Sequence, residues 1–367
     1  MAAPPPSPGA SPPSPGAAVP AERERAPAVT DRASRNGSHP ATPSTGSAAA
    51  PKPGPFLKWA GGKGQLLPEL LRRVPQQLDG YYEPMVGGGA LFFALAGDEE
   101  NRPRPAVLND ANADLVSAYT VVRDRVEALI GCLEEYGSTY LAADAEERAR
   151  LYYEVRAAEP DGDVERAARL LFLNRTCFNG LYRVNRAGRF NVPHGRYARP
   201  RILAAEALRA ASRALADVEL RTGDVVDACA GAGRGDLVYL DPPFFPLSAT
   251  SSFTDYTAGS FGPADQARLR WLVDDLTERG ACVMLSNSPH PWVLGAYESA
   301  RYRLVEGRGG GATATGEPSA ATYSHHRIEE VPARRMINSR GDRRSAIIEL
   351  IVTNPPLVEA IERGSAS

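Results

Sequence analysis

The chain has 367 residues, with 42 Lys and Arg against 44 Asp and Glu, giving a formal charge of −2 at pH 7. That length holds one large or two modest domains with a real core, and the charge balance excludes a protein that is basic throughout. Cys132, Cys177, Cys229 and Cys282 have neither CxxC nor Cys/His ligand spacing, and no apolar run reaches membrane-spanning length or forms a signal-peptide core, so the expectation is a reduced, soluble, cytoplasmic protein without a metal.

Residues 1–55 carry 14 of the 32 prolines and lack Phe, Trp, Tyr, Leu and Ile. Such a segment buries too little apolar surface to offset its ordering entropy, so 1–54 reads as a disordered tail. Only Lys52, Lys58 and Lys63 are lysines among the 42 basic residues. An ammonium is not equivalent to a guanidinium, which makes Lys63, beside Trp59-Ala60-Gly61-Gly62, a functional candidate.

Leucines at 66, 67, 70 and 71 predict an amphipathic helix over Lys63–Val74. Tyr81-Tyr82-Glu83-Pro84 reads as a strand end, followed by Gly87-Gly88-Gly89 and a helix from Ala90 to Ala96. Ala106–Asp110 is a second strand ending in acid, and helical patterns follow over about 112–135, 145–157 and 164–174. Strands resume at 236–241, 281–286, about 302–306 and 346–352, with a helix near 264–279. This alternation, interrupted by a helix-rich block, predicts a doubly wound α/β sheet with a helical insertion. The expected division is a catalytic domain over 55–120 and 205–355, an insertion over 121–204, and a flexible tail over 356–367.

The insertion is electrostatically distinct. Between Arg166 and Ala205 there are nine arginines and no acid, with Phe178, Tyr182, Phe190 and Tyr197 interleaved. Basic groups attract phosphates and aromatic rings stack on bases, so nucleic acid is the expected partner, against a merely solvated positive face.

Gly235–Phe244 is the most telling stretch. A short apolar strand runs into Asp241-Pro242-Pro243-Phe244, where ligands of an open α/β sheet sit. The prolines bring no N–H, so a carboxylate and carbonyls stand beside a flat ring, an arrangement suited to an NH₂ group on a planar heterocycle. Alone, the stretch reads more readily as a rigid strand exit.

Together these segments resemble the Dam-type (class alpha) adenine-specific DNA methyltransferases over about residues 55–353. Phe56–Lys63 looks like the amino-terminal cofactor motif and Glu83–Gly89 like the glycine-rich cofactor loop. Asn174–Arg183 with Gly188–Tyr197 looks like the DNA-recognition segment, and Asp241–Phe244 like the catalytic motif, with Pro246–Thr250 following. Two positions depart from the family: Phe244 stands where tyrosine is usual and Met85 where phenylalanine is common. Stacking needs a ring rather than a hydroxyl, and a thioether also fills space against an adenine.

The resemblance implies a methyltransferase (Rossmann-like) fold and S-adenosyl-L-methionine as cofactor. It places Trp59, Lys63, Glu83, Met85, Gly87, Gly89, Asp110 and Asp241 around that cofactor. Asp110 is also readable as an acid at a helix N-terminus, and Trp59 as a core residue. Asp241, Pro242, Pro243 and Phe244 would hold a flipped adenine, with 248–261 as a lid. Phe178, Asn179, Leu181, Arg183, Asn185 and Pro193 would contact double-stranded DNA, Arg183 reading a guanine. Arg175, Asn185 and Arg196 are equally phosphate contacts or scaffold, and 334–343 is a further DNA-facing edge or a solvated hairpin. GATC is the expected site and a cognate restriction endonuclease a compatible partner. The rival readings are an RNA-adenine or protein-amide methyltransferase and a non-catalytic DNA-binding module.

Overall fold

The computed structural model describes residues 51–98, 102–244, 261–298, 304–305, 313–314, 326–334 and 346–365. Residues 1–50 of the tail, the segment 246–250, residues 248–260 of the lid, most of the strand near 302–306 and residues 335–343 of the arginine-rich stretch lie outside the described residues.

A 3₁₀ turn at Lys63–Gln65 precedes α1 (Leu67–Leu71), β1 (Gly80–Glu83), α2 (Ala90–Ala96), β2 (Ala106–Asp110) and α3 (Ala113–Asp124). The helical block holds α4 (Val126–Ala142), α5 (Ala145–Ala157) and α6 (Asp163–Thr176), then a second 3₁₀ turn at Phe178–Gly180. The chain returns through α7 (Ala205–Leu215), β3 (Val218–Thr222), α8 (Val225–Ala228), β4 (Asp236–Leu240), α9 (Pro263–Glu278), β5 (Cys282–Asn287) and α10 (Pro291–Glu298). Last come β6 (Leu304–Val305), β7 (Thr313–Ala314), β8 (Arg327–Arg334), β9 (Ala346–Thr353) and α11 (Pro355–Ser365).

Among the described residues the main sheet has seven strands in the order β3-β2-β1-β4-β5-β9-β8. The first five run parallel, and β9 pairs antiparallel with both β5 and β8. Alternate residues of each central strand feed two separate cores. Tyr81, Leu108, Leu237, Tyr239, Met284 and Ile351 enter one; Tyr82, Val107, Val238, Leu240, Val283 and Leu350 enter the other. The first core continues without a break into the helical block through Leu133, Tyr140, Leu171 and Phe172. This is the doubly wound α/β fold with a helical insertion that the sequence pattern predicts.

Four local expectations need correction. The helix over 63–74 is broken, because Pro68 has no N–H to continue it and sits instead at the start of α1. The helix over 112–135 divides at Arg125, whose backbone (φ −138°, ψ 35°) leaves the helical region. The stretch between 205 and 235 contains α7, β3 and α8, none of which the periodicity announced, and β8 was likewise unforeseen. Residues 356–367 are not a flexible tail through most of their length, since α11 packs Leu357 fully buried against the first core with Ala360 and Ile361 beside it. Apolar residues spaced three and four apart give that helix its packing face.

Candidate active site

β1 lies between β2 and β4, so the strand order reverses beside it. In a doubly wound sheet the crevice outside the carboxyl ends at that reversal is where ligands bind. The chain delivers Asp110 and Asp241 there, from β2 and the residue after β4, and Glu83 ends β1 beneath them.

Lys63 reaches this place from the first 3₁₀ turn. Its side chain is 6% exposed, and its Nζ lies 2.7 Å from Asp241 Oδ1 and 3.9 Å from Glu349 Oε2. It also donates to the Gly61 carbonyl at 2.8 Å and stands 4.6 Å from the centre of the Phe244 ring. Burial pushes the Asp241 carboxyl above the usual carboxylate range, and the Lys63 ammonium works against that rise. Glu349 is raised for the same reason, with Lys63 lowering it and Asp241 raising it further.

The strand exit is braced from beneath. Gln266 of α9, buried, donates from Nε2 to the Pro243 carbonyl at 3.0 Å and accepts from Asn287 Nδ2 at 3.0 Å. Tyr239 shares a 2.9 Å hydrogen bond with Ser286. These contacts fix the backbone that carries Asp241 and Phe244, while Pro242 is buried and Pro243 exposed.

The glycine loop is shaped by close approach. Gly87 has φ +47°, and a Cβ there would lie 2.7 Å from Trp59 Cδ1. Gly89 has φ +63°, with Tyr119 Oη 2.8 Å from the position of its absent Cβ. Side chains at either position would be strained in backbone and in space. Asp110 accepts from Gly87 N at 3.1 Å and from Asn112 N at 2.9 Å, so it organises both the loop and the entrance to α3. Burial raises its carboxyl, and those two backbone donors oppose the rise. Met85 is half-buried against the second core. Glu83 is enclosed rather than open to the crevice. It is 2% exposed, accepts from Tyr81 Oη at 2.8 Å, and burial pushes its carboxyl up to about 8.

The recognition segment is fastened to the amino-terminal motif. Asn174 accepts from Lys58 N at 2.8 Å and donates to the carbonyls of Lys58 at 2.8 Å and Gly180 at 3.0 Å. Trp59 stacks on Tyr182 with centroids 5.1 Å apart and an interplanar angle of 27°. Phe178 is 45% exposed at the start of the second 3₁₀ turn, and its N–H donates to the Pro193 carbonyl at 2.8 Å. Asn179 takes a left-handed backbone (φ 56°) and donates its N–H to Tyr197 Oη at 3.0 Å.

From Arg183 to Asn191 the chain forms a hairpin-like loop. The exposed Arg183 donates from Nε to Asn191 Oδ1 at 2.7 Å and from Nη2 to the Asn191 carbonyl at 3.3 Å. Asn185 Oδ1 accepts from the N–H groups of Ala187 and Arg189 at 2.9 and 3.0 Å. That oxygen is a turn-former, so of the two readings of Asn185 scaffold is the one the geometry favours. Leu181 is half-buried against the first core. Arg175 donates to the Phe56 carbonyl at 2.7 Å, a contact of the scaffold kind.

Glu349 and Gln266 were not singled out in the sequence. Glu349 left a signal nonetheless: a lone carboxylate in a run whose other residues from 346 to 352 are all apolar. Gln266 left none, because a polar residue on a helix ordinarily faces water.

Residues 59–308 match the family model described as D12 class N6 adenine-specific DNA methyltransferase. The chain belongs to that family. As one of its members, the protein is an adenine-specific DNA methyltransferase. It is 40% identical over 313 residues to the type II methyltransferase M.MjaIII of Methanocaldococcus jannaschii, covering 82% of this chain and 98% of the relative. It is 38% identical over 308 residues to the type II methyltransferase M1.LlaDCHI of Lactococcus lactis subsp. cremoris, covering 82% and 95%. Identity to the DNA adenine methylase of Escherichia coli K12 is 32% over 303 residues, again covering 82% and 95%. Among the described residues of this methyltransferase, no helix is long and apolar enough to cross a membrane, and no group of three or more His, Cys, Asp or Glu is placed to hold a metal.

Proposed function

We propose that this methyltransferase uses S-adenosyl-L-methionine to methylate the exocyclic N6 amine of an adenine flipped out of double-stranded DNA, with GATC as its site. The observation that carries the reading is the pairing of Lys63 with Asp241 at the sheet's reversal point, across from the glycine loop.

When bound, S-adenosyl-L-methionine supplies an electrophilic methyl group on a sulfonium. Asp110 and Asp241 would offer such a cation negative groups, while Lys63 stands between Asp241 and Glu349. Trp59, Met85, Gly87, Gly89 and Asp110 would hold the cofactor, with Glu83 as a neutral carboxyl beneath the loop. Lys63 acts on the catalytic carboxylate rather than on the cofactor's own.

Adenine N6 is a poor nucleophile because its lone pair is delocalised into the ring. Asp241 and the Pro242 carbonyl accept its two N–H bonds and turn the lone pair toward the methyl carbon, which is electrostatic preorganisation combined with placement. Phe244 stacks on the extruded ring; one side of it already faces the Lys63 ammonium. A stacked adenine cannot present its amine to this cluster, so flipping is required. Phe178 is exposed enough to enter the space that the base vacates, and Asn179, Leu181 and Pro193 flank it. Arg183 is the proposed reader of a guanine, its fork held ready by Asn191.

The test is methylation by the purified protein of duplexes carrying GATC, single substitutions of it, and matched RNA and peptide amides, with the product base identified by mass. N6-methyladenine in GATC duplexes is the expected product. Methylation of RNA or of an amide in preference to DNA overturns the substrate assignment, and failure of calorimetry to detect S-adenosyl-L-methionine binding at millimolar concentration overturns the cofactor.

A further inference from the structure

We infer that Glu349 is a positioning residue for methyl transfer: its carboxylate holds the Lys63 ammonium between two acids and so keeps Asp241 able to accept from the adenine amine. This rests on the reading of Asp241 given above and extends it to a strand outside the motifs of that reading.

The geometry is specific. Glu349 lies on β9, which pairs with β5 through Asn287 and Leu350. Alternation along β9 turns Glu349 to the same face as Ile351, whose side chain is in the first core, while Leu350 and Val352 enter the second. The Glu349 side chain is only 12% exposed, and its Oε2 lies 3.9 Å from Lys63 Nζ. That oxygen is buried without a hydrogen-bond partner among the described residues. A buried, incompletely satisfied carboxylate costs stability, so fold stability alone does not account for an acid at this position.

Its effect on the site follows from charge. Asp241 and Glu349 face one ammonium, while Glu83 on β1 is raised toward neutrality and Tyr81 and Tyr239 contribute buried hydroxyls nearby. Without Glu349, Lys63 would pair with Asp241 alone. A carboxylate fully matched by a buried ammonium is a weaker acceptor for N6 hydrogens than one that shares it. Glu349 therefore leaves negative potential on Asp241, where positive charge grows on adenine N6 during transfer.

The test is Glu349→Gln, which removes the charge and keeps the shape. We expect kcat to fall roughly 5- to 50-fold, with KM for DNA and for the cofactor changed less than about twofold. The acid limb of the kcat–pH profile should move to lower pH, because Asp241 loses a like-charged neighbour. A purely structural role would not move that limb. A second readout needs no activity. The Lys63 ammonium can be followed by ¹⁵N NMR in a chain whose other lysines are Lys52 and Lys58, and in Glu349→Gln its resonance should shift with neither DNA nor cofactor present. If wild-type protein proves inactive on adenine, the functional reading fails while the NMR result still decides the Lys63–Glu349 contact. Should Glu349→Gln not fold, Glu349→Met, apolar and of similar volume, carries the same readouts. An unmoved Lys63 resonance overturns the inference, as does an unmoved acid limb at unchanged kcat.

Discussion

In the crevice, a lysine only 6% exposed is paired with a carboxylate at 2.7 Å and braced by further buried polar side chains; in the loop from Arg183 to Asn191, a guanidinium in contact with solvent is tied to Asn191. The first region has its charges set before any ligand arrives. The second holds its cation ready but uncommitted, so it can exchange an intramolecular partner for a base edge or a phosphate at small cost. Chemistry asks for fixed geometry and recognition asks for exchangeable contacts, and one chain builds both from the same residue types.

The contrast breaks most visibly at Asp241. Asp241→Ala should lower turnover roughly 100- to 1000-fold or more, while DNA affinity, which the proposed reading assigns to the arginine-rich segment, stays within about threefold. Single-turnover methylation alongside a binding titration reads both, and near-normal turnover would show that the acceptor cluster is misassigned.

The next effect is on stability. Folding raises the Glu83 carboxyl from 4.5 to about 8, so between those values the folded chain keeps a proton that the unfolded chain releases. The stability from this group is complete below the lower value and is lost as pH rises through the upper one. Glu83→Gln cannot ionise, so denaturant midpoints should favour the variant increasingly from about pH 5 to about pH 8, by a few kcal/mol. Parallel stability curves for the two proteins would show that Glu83 is already ionised.

Arg183→Ala should cost roughly 5- to 150-fold in preference at one guanine position, leaving the others nearly unchanged. Equal slowing on every duplex, with a flatter salt dependence, would make Arg183 a phosphate contact instead. Smallest of all is the effect of deleting residues 1–50, a segment whose composition gives it little to pack. Turnover should stay within about twofold, and a melting temperature lowered by more than roughly 4 °C would contradict that reading.

Where function imposed residue types, the sequence was legible. Gly87 and Gly89 occupy backbone that only glycine takes easily, and Asp241-Pro242-Pro243-Phe244 is legible through its place after the other motifs. The helix Ala90–Ala96 and the strand Ala106–Asp110 were readable because their apolar runs are short and well bounded. Legibility failed where the cause is tertiary. In β3, Val218 is buried and Glu219 exposed at the sheet edge, a mixture that short-range periodicity does not separate from loop. Glu349 meets Lys63 only after the sheet has brought β9 across, and Gln266 finds Pro243 only through α9. Partners that meet only through the tertiary fold leave no local pattern.

The stack of Trp59 on Tyr182 joins the two contrasted regions. One ring lies against the glycine loop and the other at the base of the hairpin-like loop. Packed rings rearrange between discrete arrangements rather than stretching. Any ligand that shifts Trp59 therefore changes the set of positions open to Tyr182, and the reverse holds equally. In the language of linkage, the two binding events share one coupling free energy: by whatever factor occupancy at the glycine loop tightens the grip on DNA, DNA tightens the grip at the loop by that same factor.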